Sequence, residues 1–151
     1  MIEYNEIELK EEDYKAAFTE VSFLFDVLAS TVKDVIGNSA PLGVSAGRSM
    51  AKKLPVNLKE PKMNAVFDVL KKHFEDGFEF TGDVAEEGGA LQVGTCMIRD
   101  ICKNQNAEVG GEMCKMFHSY LGGMVAQLSG RQARVTHSEA GERCSLDVKV
   151  R

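Results

Sequence analysis

EMCKMFHSYLGGMVAQLSGRQARVTHSEAGERCSLDVKV, residues 112–150, decides the fold. Its first half is helical: Phe117, Tyr120, Leu121, Met124, Val125 and Leu128 recur three and four residues apart and line one side. The helix is expected over 108–129, with Gly110 and Gly111 at its start and Gly130 ending it. The period then drops to two. Residues 133–137 and 144–150 read as strands joined by a turn around Gly141, with Leu146, Val148 and Val150 on one face.

Upstream of this helix the same alternation occurs once more. Phe78-Glu79-Phe80-Thr81 alternates, 86–89 reads as a turn, and 90–98 contains a second strand. Three helices precede the strands. The first, over 11–37, places Ala17, Val21, Leu24, Leu28, Val32, Val35 and Ile36 at near-helical spacing, and Asp13 favours the positive end of its dipole. Phe18, Phe23, Phe25 and Val27 widen that apolar face, which suggests burial on two sides, in the core and against a second subunit. The second helix, over 41–54, opens on Pro41 and stops at Pro55. Gly43 and Gly47 leave a bare strip on it for another backbone or a ligand, tight helix packing being the preferred reading. The third, over 63–76, carries Val66, Phe67, Val69, Leu70 and Phe74. Helices first, then strands joined by short turns, imply an α+β chain: a helical layer packed on an antiparallel sheet in a single domain.

Composition narrows the function. A chain of 151 residues is near the usual size of one domain, and 44% hydrophobic with 27% charged residues is ordinary for a globular protein. The net charge of -5 argues against a nucleic-acid surface, which needs clustered Lys and Arg. No apolar run is long enough for a membrane span. The N-terminus, with Glu3, Glu6 and Glu8 and no apolar core, does not read as a signal peptide. A cytoplasmic protein is expected, where cysteines bind metals or react more often than they form disulfides.

All four cysteines fall after residue 95, as Cys96-x5-Cys102-x11-Cys114-x22-His137-x6-Cys144. Thiolates and an imidazole suit tetrahedral zinc, although no Cys-x2-Cys knuckle is present. Cys96 and Cys102 are expected at the end of a strand and in the loop after it, Cys114 near a helix start, and His137 and Cys144 across the final turn. A metal there would staple the terminal hairpin to the helix. Separate buried thiols and a redox or iron–sulfur arrangement remain the alternatives. His118, one turn after Cys114, is a reserve ligand, and His73 is expected to face solvent.

The residues 113–123, then Leu128-Ser129-Gly130-Arg131, Val135, Glu139, Gly141 and Cys144-Ser145-Leu146-Asp147-Val148, resemble the 4-vinyl reductase or hydrocarbon-binding domain family. Leu42, Gly43 and Gly47, and the stretch 66–80, are similar to its helical half, so that the resemblance covers roughly 25–150. It implies a small-molecule-binding module related in fold to transport-complex subunits of the TRAPP type. Members serve as sensory parts of aromatic-responsive regulators, with a zinc held by cysteines and a carboxylate. Cys114 matches the family's helix cysteine and Cys144 its final one. The middle cysteine is absent, with His137 nearest its place, and Arg134 stands near the family's glutamate and cannot bind a cation. Cys102 or Cys96 would then complete the set, and the Cys96-x5-Cys102 pair resembles archaeal stand-alone members. The division that follows is 1–24 as an N-terminal arm with the start of the first helix, and 25–151 as the binding domain.

The function expected is therefore a stand-alone small-molecule-binding or sensor domain with a structural zinc. An apolar ligand is expected among Gly43, Gly47, Phe67, Phe117, Tyr120 and Met124, in a homodimer. The alternative is a reductase-type or metal-dependent enzyme acting on a hydrophobic or tetrapyrrole-like substrate. No nucleotide fingerprint, phosphate loop or Ser-His-Asp pattern supports it, and Glu139 and Glu142, the carboxylates nearest the metal ligands, read as solvated.

Overall fold

In a computed structural model, residues 9–151 are described; the acidic stretch 1–8 lies outside them. The helices are α1 (Glu11–Ile36), α2 (Ala40–Lys53) and α3 (Met63–His73), followed by β1 (Phe78–Thr81), β2 (Val84–Ala85) and β3 (Gly88–Cys96). Then come α4 (Met97–Asn104), α5 (Glu112–Ser129), β4 (Ala133–Glu139) and β5 (Cys144–Val150). The sheet runs β1-β3-β5-β4 with every pair antiparallel, and β2 pairs with β3. The α+β reading holds. Among the described residues no helix is long and apolar enough to cross a membrane.

β5 is a central strand and carries the core. Cys144, Leu146, Val148 and Val150 all point to the buried face, as the period of two requires. Leu91 and Val93 of β3 and Val135 of β4 join them. Among the described residues β4 closes the sheet order as an edge strand, with no strand paired to its outer side.

α5 is the hub. It is apolar nearly all round, burying Met113, Met116, Phe117, Leu121, Met124 and Val125, because it packs on the sheet on one side and on α2 and α3 on the other. Its contact with α2 runs through glycine. A Cβ on Gly43 would meet the Met116 carbonyl oxygen, one on Gly47 that of Tyr120, and one on Gly123 that of Val44. Such separations let two helix backbones touch, a spacing no other residue permits. At the N-terminal end the buried Ser39 hydroxyl donates to Glu112 at 3.1 Å, tying the start of α2 to the first turn of α5.

α1 is apolar on two sides, and one of them is buried within the chain. The side turned to the domain is Phe18, Ser22, Phe25, Ala29 and Val32, at helical spacing. On the other side Val21 is 60% exposed, Leu24 64% and Val35 78%. Two apolar stripes share one helix, and periodicity alone does not say which meets the sheet layer. The division at 24/25 falls, as expected, inside the first helix, α1. A correction concerns α4, expected as loop. Ile98, Arg99, Ile101 and Cys102 are its buried side, so Cys102 stands on a helix.

Candidate functional site

The five candidate metal ligands come from five elements. Cys96 ends β3 and precedes α4, Cys102 lies on α4, Cys114 in the first turn of α5, His137 on β4 and Cys144 at the start of β5. Three of them meet. Cys96, Cys114 and Cys144 line one enclosed cavity of about 20 Å³, together with Arg99, Phe117 and His118. That volume has room for a single water-sized group.

The cation of this cluster is Arg99. Its side chain is 7% exposed, with Nη1 donating to the Gly94 carbonyl at 2.7 Å and Nη2 to the Val93 carbonyl and to Cys144 Sγ, each at 3.3 Å. Nε is buried without a partner. The Cys102 thiol, hydrogen-bonded to Cys114 and buried, is pushed far up from its usual value. The same bond lowers Cys114 to about 7, against the effect of burial and with help from the Gly110 backbone and the Arg99 charge. Cys114 is thus shifted toward thiolate, chiefly by the Cys102 hydrogen bond and in smaller part by the Arg99 charge.

His137 stands apart from the thiols. Its Nδ1 lies 3.4 Å from Nδ1 of His118, and burial first, with the His137 charge second, lowers His118 to about 4. Among the described residues no three His, Cys, Asp or Glu side chains come together in a way that could hold a metal ion. The arrangement does not fit a tetrahedral zinc: a guanidinium already sits against Cys144, and the imidazole is turned to another histidine.

The expected ligand residues lie mostly in packed core. Gly43 and Gly47 face the α5 backbone, which fills the space a ligand would need. Met124 is completely buried, and Phe67 lines only a void of about 10 Å³. Phe117 stacks on Phe78 with ring centroids 4.9 Å apart and has Tyr120 beside it, so both belong to an aromatic cluster with Phe74. Of the six, Phe117 alone reaches the thiol cavity.

The open space is elsewhere. A groove of about 580 Å³ runs between the first half of α2, one face of α5 and the edge strand β4. Ala40, Val44, Gly122, Ala133 and Val135 give it apolar walls. Lys115, His118 and Ser119 enter from α5, and Arg134, Thr136 and His137 from β4. The α5 residues, at positions 115, 118, 119 and 122, share one helix face by their three- and four-residue spacing, a pattern present in the sequence. What the sequence lacks is any sign that β4 lies across that face.

No family model matches the chain, and no curated protein matches it.

Proposed function

We propose that this domain binds a small, largely apolar molecule in the groove between α2, α5 and β4. The observation that supports it is the groove itself: its volume of about 580 Å³ falls in the range of small-molecule sites, and its lining joins apolar residues to polar side chains that could orient a ligand. The thiol cavity, at about 20 Å³ and enclosed, admits no substrate, so catalysis is not placed there. Native mass spectrometry of the protein, alone and with added 1-octanol, tests the reading. A one-to-one complex is expected, and Val44→Trp, which fills the groove, is expected to abolish it. Unchanged binding by that variant would move the site elsewhere.

A second element of the proposal is self-association through α1. Leu24, Leu28 and Val35 are exposed on a helix whose opposite side is already packed, which leaves an apolar strip about 17 Å long. Two copies crossing antiparallel would oppose their helix dipoles and set the acidic first turn, Glu11, Glu12 and Asp13, near a last turn carrying Lys33. Light scattering is expected to report a dimer that Leu24→Glu converts to monomer. A parent chain that stays monomeric across a concentration series would refute this pairing.

A further inference from the structure

We infer that the ligand of the groove is an amphiphilic acid, its carboxylate or phosphate held by Arg134 and Lys115 while its tail lies on the apolar wall. This rests on the binding reading above and gives it a ligand class. The charge around the groove supports it. Two lining side chains, Lys115 and Arg134, carry positive charge, and no Asp or Glu lines it, in a chain whose net charge is -5. A cationic hollow on an acidic protein attracts anions selectively.

The cations are also available. Arg134 makes no ion pair among the described residues. Lys115 has Glu112 at 3.4 Å, but that carboxylate is shared with Lys33 at 3.8 Å and with the Ser39 hydroxyl, and an exposed pair of this kind is weak. Arg134 presents a planar fork suited to two oxygens of one acid. Ser119 and Thr136 add neutral donors beside it. The start of α2 adds the positive end of a 14-residue helix where Ala40 forms part of the wall. Across from β4, Val44 of α2 has nothing polar on its side chain to hold a second charged group.

Calorimetric titration with octanoate, octyl phosphate and 1-octanol, each below its aggregation concentration, separates the possibilities. At least one acid is expected to bind about tenfold or more tightly than the alcohol, and the tighter of the two names the headgroup. Arg134→Gln with Lys115→Gln is expected to remove that advantage while leaving the thermal unfolding midpoint unchanged, since both side chains are solvent-exposed and their loss leaves the core intact. Equal affinity for acid and alcohol would overturn the inference and leave the binding reading standing. So would acid binding that the double variant does not change. Failure of all three probes to bind would overturn both.

Discussion

Gly47→Ala puts the helix contact at the centre of the fold to a quantitative test. In an ordinary helix this change gains about 1 kcal/mol, because alanine is the better helix former. Here the added Cβ would stand 2.9 Å from the Tyr120 carbonyl carbon and 3.0 Å from the Met124 nitrogen, with the Tyr120 oxygen nearer still. Those are backbone atoms of α5 and cannot rotate away, so α2 as a whole must move. Overpacking of this kind costs about 1–3 kcal/mol, and a contact with rigid backbone belongs at or above the upper end. The expected net loss is about 2 kcal/mol, or about 4–8 °C in Tm for a chain of this size. Urea and thermal unfolding followed by circular dichroism measure it. Gly141→Ala serves as the control: a Cβ there meets nothing within 4 Å, and the change should stay within about 0.5 kcal/mol. If Gly47→Ala proves as stable as the parent or more so, the two backbones do not touch and the packing described for α2 and α5 is wrong.

Acid should destabilise the protein through His118. Its folded value is lowered to about 4 from an ordinary 6.5, so between those limits the unfolded chain binds more protons and stability falls as pH falls. The full window is worth about 3 kcal/mol, and His118→Asn should flatten it. A titration by NMR in which all three histidines protonate near 6.5 would contradict the burial described. The thiols give a separate check. All four are free, with Cys102, Cys114 and Cys144 buried, so Ellman's reagent should react at least about a hundredfold more slowly with those three in native protein than in urea. Rapid reaction of three thiols in the native protein would mean that the cluster is open to solvent.

Some of this was legible from residue order and some was not, for physical reasons. The alternation of Leu146, Val148 and Val150 identifies a strand with one dry face, and the strand lies there. The α5 periodicity is equally plain, since a helix buried on several sides needs apolar residues all round it. Crowding of the cysteines anticipated that Cys96, Cys114 and Cys144 would meet. It did not reveal Arg99, because a cationic residue in an unremarked stretch gives no sign that it will be buried against a sulfur 45 positions away. α4 escaped notice because it is only eight residues long and directly continues a strand. The buried side of α1 and the position of the groove depend on how layers are stacked. That is settled by contacts between elements, to which the pattern within one element is blind.

The imidazole of His118 borders both hollows, the closed thiol chamber and the open groove. One residue thus separates the two compartments. A proton resonance on that ring is placed to report an occupant of either one, which makes it a spectroscopic gauge of both at once.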